Sequence, residues 1–312
     1  MKTQNLLKLA RLSEEEARNL LEEIRWPGGA VCPHCQGTEV TKLQGKSTRP
    51  GLYKCKTKEC RKQFTVTVGT VFEDSHIPLG TWVAAYHIMC SSKKGISALQ
   101  LKRQLGIAYK SAWHMAHRIR YTMGQEPVAG MLKGVVEVDE TFIGGKLKNM
   151  HAKKRAEVKK RGDNKIAVVA LVERKGGVRT KVVPNVRANT LKEALIEQVQ
   201  TSAHIMSDEW PGYIKGAEEH REHSTVNHFR GQYVKHQGKG YPVAYTNTVE
   251  SFFSLLKRGI NGSFHHVSKQ HLQRYCDEFA FRWQNRKLSD GERTIVALKL
   301  APMGRLVYRP GV

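Results

Sequence analysis

Four of the six cysteines in this 312-residue chain fall into two close pairs, Cys32-Pro-His-Cys35 and Cys55-Lys-Thr-Lys-Glu-Cys60, joined by a linker that contains Gly45, Pro50 and Gly51. Thiolates at such spacing are zinc ligands, because two knuckles on a turn can place four sulfurs tetrahedrally about one ion, as zinc prefers in closed structural sites. The constraint on the fold is severe. A segment this short buries little apolar surface, so its folding energy has to come from the metal. A structural Zn2+ on Cys32, Cys35, Cys55 and Cys60 is therefore expected, in a zinc ribbon at residues 31–70 that Phe64 to Val68 closes as a strand. The second pair is wider than the first. Six cysteines are too few for a disulfide scaffold in a chain of this size, so Cys90 and Cys276, which stand alone, are expected in the core. His34, inside the first knuckle, is expected to be an exposed bystander.

Lysine and arginine outnumber aspartate and glutamate by 52 to 28, a net charge of +24. Such an excess attracts a polyanion, either nucleic acid or an anionic membrane surface. The longest apolar stretch, Ile166 to Val172, is far short of the ~20 residues a spanning helix needs, which excludes a membrane crossing of that kind. Met1 to Leu12 lacks the long apolar core of an export signal, and a cytoplasmic location is expected. The charge is concentrated in three windows. Eight basic residues face two acidic ones from Cys32 to Thr65, seven face none from Lys93 to Arg120, and nine face two from Gly144 to Lys165.

The spacing predicts an N-terminal helical segment within residues 1–30. Ser13 and Glu16 fit a capping box, Leu20, Leu21 and Ile24 share one face, and Trp26-Pro-Gly-Gly29 ends the helix. Beyond the ribbon, residues 71–125 read as a helical region, with an apolar helix from Leu79 to Cys90. A short helix follows with Leu99, Leu101 and Leu105, then Gly106 at a turn, then a second helix with Lys110, His114, Arg118 and Arg120. This is the outline of a helix-turn-helix, and carboxylates would be out of place on a helix that faces phosphates. Trp113 and Ile119 are assigned to the core. Candidate DNA-binding residues are Lys102, Arg103, Lys110, Arg118 and Arg120, with Lys153, Lys154 and Arg155 from the third basic window. That window has little apolar content and reads either as a loop that orders on DNA or as a solvated loop without a role.

From Gly134 the texture changes to α/β. Strands are expected at 134–142, 166–172 and 178–186, with Gly176-Gly177 as a hairpin turn, then a helix at 189–200. A fourth strand at 203–208, a fifth near 223–226 and a helix at 247–258 complete the order of a ribonuclease H-like catalytic domain, residues 130–290, with 291–312 as a C-terminal tail. Acids are scarce here, so their placement is informative. Asp139 lies in the first strand, Asp208 ends the fourth, and Glu250 lies on the last helix with Lys257 two turns along the same face. If the strands are neighbours and the helix crosses their ends, three carboxylates converge. Such a cluster calls for divalent cations that prefer oxygen, Mg2+ or Mn2+, and two such ions suit phosphodiester displacement. Glu137 shares the face of Asp139, and Glu140 points away from it; both are second choices, and Glu209 adjoins Asp208 in the same way. Asn247, one turn before Glu250, is a rival or additional ligand. Lys257 is better placed to position a phosphate than to transfer a proton.

These residues resemble, over nearly the full length, insertion-sequence transposases with an N-terminal zinc ribbon and a DDE catalytic domain, the ISXO2-like group. The resemblance rests on Cys32-Pro-His-Cys35, Val136-Glu-Val-Asp139-Glu-Thr-Phe-Ile-Gly-Gly145, Ser207-Asp208-Glu-Trp-Pro-Gly-Tyr213 and Thr246-Asn-Thr-Val-Glu250-Ser-Phe-Phe-Ser-Leu-Leu-Lys257-Arg-Gly259, and on the stretch Arg274 to Arg286. It implies Asp139, Asp208 and Glu250 as catalytic acids with magnesium as cofactor, and Lys257 as the associated basic residue. Asn247 is sometimes counted at the third position, and Asn285 and Arg286 belong to the family tail. It further implies a bacterial, nucleoid-associated enzyme that binds terminal inverted repeats and target DNA, acts as a dimer or higher oligomer, and cuts and joins strands. Other readings of the same residues are a non-catalytic, domesticated DNA-binding protein and a ribonuclease H-like nuclease without strand transfer.

Overall fold

The structure is a computed structural model that describes all residues except 1–5, 126–129, 146, 162–164, 228–229, 237, 239, 305 and 307–312. It divides into two compact units, one of Met1–Glu126 with Asn285–Val312 and one of Pro127–Gln284.

The first unit begins with α1 (Leu6–Ala10) and α2 (Glu14–Arg25). The Ser13/Glu16 capping box forms as expected, Ser13 accepting from the Glu16 amide and Glu16 from the Ser13 amide. Helix α2 is a packing element. Trp26 at its end meets Tyr53 and Phe64 edge-on, and Glu22 accepts from the Tyr53 hydroxyl at 2.7 Å. Those partners belong to an antiparallel three-stranded ribbon of β1 (Val40–Lys42), β2 (Tyr53–Cys55) and β3 (Gln63–Phe64). Strand β3 is shorter than expected and leaves the ladder after Phe64. The Thr65 and Thr67 hydroxyls bond each other at 2.8 Å, and Thr70 bonds the Thr67 carbonyl, so local side-chain bonding displaces the strand.

Helix α3 (Leu79–Ser91) is apolar almost all round and forms the centre of this unit, with Trp82, Val83, Ala85, Tyr86, Met89 and Cys90 all buried. Ser97 caps α4 (Ala98–Leu105), and Gly106 closes it at φ 65°, a conformation glycine adopts without penalty, before α5 (Tyr109–Met123). The expected helical hairpin is therefore present. Within it Leu101 is buried but Leu99 is 51% exposed, a departure from the expected apolar face.

The second unit is a mixed five-stranded sheet of β4 (Val135–Ile143), β5 (Ile166–Glu173), β6 (Val178–Val183), β7 (His204–Asp208) and β8 (Glu222–Val226), in the order β6-β5-β4-β7-β8. Strands β4, β5 and β6 are antiparallel, whereas β7 and β8 run parallel to β4. Strand β6 stops at Val183 because Pro184 has no amide to offer the ladder. Between β4 and β5 stands α6 (Ala152–Arg161), a helix where the third basic window reads as a loop. Helices α7 (Ala188–Gln198) and α8 (Pro211–Gly216) cover one face of the sheet, packing on Val136, Val138, Val169 and Leu171. Helices α9 (Asn247–Gly259) and α10 (Lys269–Gln284) cover the other, packing on Val168, Ala170 and Val172. Strand β5 is thus buried on both faces, which explains its unbroken apolar run.

The chain then returns to the first unit. Helix α11 (Asp290–Lys299), placed in sequence across the boundary between catalytic domain and tail, packs on α3. There Thr294 bonds His87 Nδ1 at 3.0 Å, Arg293 donates to the Cys90 carbonyl at 2.8 Å, and the Val71 amide donates to the Ala301 carbonyl at 3.1 Å. No helix among the described residues is long and apolar enough to cross a membrane.

Candidate functional site

The four paired cysteines come together, their sulfurs all within 4.8 Å of one another. Cys32 and Cys60 Sγ are 3.7 Å apart and Cys35 and Cys55 Sγ 3.6 Å, close to the ~3.8 Å edge of a tetrahedron with ~2.3 Å zinc–sulfur bonds. The donor set and its spacing fit zinc. The wider second knuckle closes like the first. The Cys32 amide donates to the Gly37 carbonyl and the Cys55 amide to the Lys62 carbonyl; likewise Gln36 donates to Cys32 and Arg61 to Thr57. Thr57 thus starts the second turn where Cys32 starts the first, and Cys55 supplies its thiol from the end of β2. Gln36 and Arg61 both have positive φ, and the amides of Gly37 and Lys62 turn toward the Cys35 and Cys60 sulfurs. A Cβ at Gly37 would meet Thr57 Oγ1 at 2.7 Å, so a larger residue here would force the Thr57 side chain to move. His34 is exposed, and Cys90 and Cys276 are buried, all as expected.

The acids of the second unit sort by strand alternation. Val136 and Val138 face α7 and α8, so Glu137 and Asp139 face α9, while Glu140 faces α8 and accepts a hydrogen bond from Tyr213 Oη. Asp139 is part-buried beside Glu140, Asp208 and Glu250. Burial first, then the repulsion of these carboxylates, pushes its pKa up to about 7, against the Glu140 amide, which donates to it at 2.8 Å. Asp208 ends β7 and accepts from the Trp210 amide at 3.1 Å. Glu250, in the first turn of α9, accepts from the Thr246 hydroxyl at 3.1 Å. Asn247, Glu250 and Lys257 are exposed on α9, opposite its buried Val249, Phe252, Phe253 and Leu256.

The structure thus brings Asp139, Asp208 and Glu250 into one electrostatic neighbourhood. They do not form a single-ion cluster like that of the cysteines, the only such group among the described residues. An all-oxygen set with one carboxyl held near neutrality suits divalent cations. Glu137, a second choice in the sequence, is not available to an ion. Its carboxylate is fully buried and bound to Arg174, Thr248 and Val249. Sequence reasoning missed Arg174, Thr246, Thr248 and Tyr213. A glutamate within a strand flanked by valines is the signal for buried partners such as Arg174 and Thr248, whereas Thr246, Thr248 and Tyr213 stand in the motifs that carry the resemblance, with no role assigned there.

The basic candidates divide. Lys102, Arg103 and Lys110 are exposed on α4 and α5, with Tyr109 half exposed beside them. Arg118 and Arg120 are buried, a correction to their placement among DNA-facing residues. Helix α5 turns them inward, and Arg118 donates to the Glu73 carbonyl at 2.8 Å and lies over the Trp82 ring. Trp113 is only half buried, against His117, while Ile119 is buried as expected. Lys153 is exposed on α6; Arg155 is turned back to the carbonyls of Lys148 and Met150, and the side chain of Lys154 lies outside the described residues.

The exposed set makes a sharp expectation. Replacing Lys102, Arg103 and Lys110 together with alanine should flatten the salt dependence of DNA binding by about two to three in log–log slope, at ~0.9 per phosphate, without lowering the melting temperature. Arg118→Ala should do the reverse, costing stability and leaving the slope unchanged. A triple variant with the wild-type slope would remove α4 and α5 from the DNA interface.

Residues 131–284 match the ISXO2-like transposase domain, and residues 12–63 match the transposase zinc-ribbon domain. The chain is 28% identical over 284 residues to a protein in the transposable element ISH50 of Halobacterium salinarum, covering 87% of this chain and 91% of that one. A transposase-like protein of Haemophilus influenzae is 28% identical over 130 residues, 42% of this chain and 97% of that one. With the clustered acids lying in the first match and the ribbon's sulfurs gathered in the second, the chain belongs to the ISXO2-like transposases that carry an N-terminal zinc ribbon.

Proposed function

We propose that the chain is the DNA transposase of an insertion sequence, that it binds the element's terminal inverted repeats, and that Asp139, Asp208 and Glu250 hold the divalent ions for strand cleavage and strand transfer. The observation that carries this reading is the crowding of Asp139 by Glu140, Asp208 and Glu250, which holds its carboxyl near pH 7. A stable core gains nothing from such a cluster, whereas bound cations offset it. The sheet order, with the acid-bearing β4 at its centre, parallel to β7 and antiparallel to β5, supports a ribonuclease H-like fold for residues 130–290.

Bound there, two Mg2+ or Mn2+ ions would acidify the attacking water or 3′-hydroxyl and offset charge on the departing oxygen. Asp139 and Asp208 supply ligands from adjacent parallel strands, and Glu250 from α9, with the Asn247 amide oxygen as an additional ligand one turn earlier. Lys257, two turns beyond Glu250, positions a phosphate. In cleavage, the water oxygen bonds to phosphorus as the bond to the 3′-oxygen breaks, and the freed 3′-hydroxyl then displaces a 3′-oxygen of the target. The exposed cations of α4, α5 and α6 hold the duplex by its phosphates. Two ends have to be held together, so a homodimer or higher assembly acts on DNA, in a cytoplasmic, nucleoid-associated setting.

The test is direct. Purified protein, Mg2+, a labelled duplex carrying the element's end and a target plasmid should yield joined product. Cleavage without joining would favour a ribonuclease H-like nuclease, and binding without cleavage a domesticated DNA-binding protein.

A further inference from the structure

We infer that Glu137 and Arg174 are positioning residues that fix where α9, and with it Glu250 and Asn247, stands relative to Asp139; the inference rests on the metal-dependent reading above. Glu137 lies two residues before Asp139 on the same face of β4 and is 0% exposed. Its carboxylate accepts from the Thr248 amide at 2.8 Å, the Thr248 hydroxyl at 2.8 Å, the Val249 amide at 3.1 Å and Arg174 Nε at 2.7 Å. Two of these donors are first-turn amides of α9, which a helix cannot satisfy by itself. Thr246, the residue at the cap position, gives them no side-chain bond. Its hydroxyl is directed to Glu250 instead. A carboxylate from the central strand therefore caps the helix and meets the positive end of its dipole.

Arg174, just beyond β5, completes the clamp. Its Nη1 donates to the Val243 carbonyl at 2.7 Å and its Nη2 to the Tyr245 carbonyl at 2.9 Å, with the guanidinium 3.4 Å from the centre of the Tyr245 ring. The backbone that enters α9 is thus tied to the sheet at Val243, Tyr245, Thr248 and Val249. An apolar contact can slide by a fraction of an ångström, but a planar guanidinium that bonds a buried carboxylate through Nε and two carbonyls through its Nη atoms has one register. Ion ligands tolerate errors of only about 0.5 Å, and Glu250 stands one residue beyond the last of these ties.

The test uses the full chain with Glu137→Gln, Arg174→Lys and Thr248→Val. Glutamine sets an NH2 against the α9 amides, lysine keeps the charge but loses the fork, and valine removes one donor while keeping the backbone bonds. The first two should weaken Mn2+ binding by the DNA-free protein about tenfold, read from the EPR signal of free Mn2+, as is usual for losing a residue that orients a metal ligand. Cleavage should slow about as much at saturating DNA, recover in part at higher Mn2+, and show an unchanged Kd for an end-sequence duplex. Thr248→Val should give a smaller loss of the same pattern. A purely structural role predicts a lower melting temperature with wild-type Mn2+ affinity in the folded protein, and that result overturns the inference. If Glu137→Gln does not fold, the other two variants are read in the same way. Asp139→Asn is the control. If it binds Mn2+ and cleaves normally, the reading of the acids has failed; if it does neither while the clamp variants match wild type, only the positioning role has failed.

Discussion

Asp139→Asn is expected to abolish metal-dependent cleavage, by about a thousandfold or more, and to make the metal-free protein more stable. The first effect follows from removing an oxygen ligand from chemistry to which bound ions contribute several kcal/mol. The second follows from the electrostatics of the site. The Asp139 carboxyl is raised from an ordinary 3.8 to about 7 in the folded chain, by burial and by its acidic neighbours. Below pH 4 the group is protonated folded or unfolded and costs nothing. As pH rises from 4 to 7 the unfolded chain ionises while the folded chain resists, so the penalty grows, and above 7 it is constant. At 1.36 kcal/mol per pH unit the ceiling is roughly 4 kcal/mol, and solvent screening brings the expected gain to about 2 kcal/mol. Asparagine keeps the shape and the oxygen that accepts from the Glu140 amide. Melting at pH 8 without metal should therefore be several degrees higher in the variant, the two proteins should converge near pH 4, and Mg2+ should raise the wild-type transition only. Retained cleavage, or a variant less stable at pH 8, would contradict the assignment of Asp139.

Removing zinc should have the other large effect. The ribbon buries few side chains of its own beyond Tyr53 and Phe64, and structural zinc supplies about 10–16 kcal/mol in small fingers. Cys55→Ser or chelation should open residues 31–70 to protease and weaken binding to the end sequence. The thermal transition of the second unit should stay in place. The damage should extend backward, because Trp26 and Glu22 of α2 lean on Tyr53 and Phe64. Verified loss of zinc with an unaltered cleavage pattern between Cys32 and Cys60 would show that the cysteines do not hold the ribbon together.

Some features were legible in the sequence because a local rule determined them. The Ser13/Glu16 box, the glycine between the helices of the hairpin, the strands around Asp139 and Asp208 and the paired cysteines depend on neighbours within a few residues. What could not be read depended on distant partners. Arg118 and Arg120 carry the same charge as Lys102 and Lys110, and only the rotation of α5 against α3 decides which face the solvent. Glu137 shares the face of Asp139, and alternation alone keeps it as a second choice for the site. Its carboxylate is taken up by amides more than a hundred residues later. The clustering of the acids was expected from strand ends and a crossing helix, but the clamp that sets their spacing lies in Arg174, whose charge alone marked it as nothing special.

Because α11 completes the core around α3, the first unit is discontinuous in sequence, its two pieces separated by the whole of the second unit. A ribosome has to synthesise the whole of the second unit before the first can close. A truncated gene copy that keeps only the zinc ribbon and the helical hairpin would leave α3 uncovered where α11 belongs. Such fragments would be drawn to proteolysis and, on the proposed function, would make poor competitors for the element's ends, so the order of the chain ties the folding of the first unit to an intact second one.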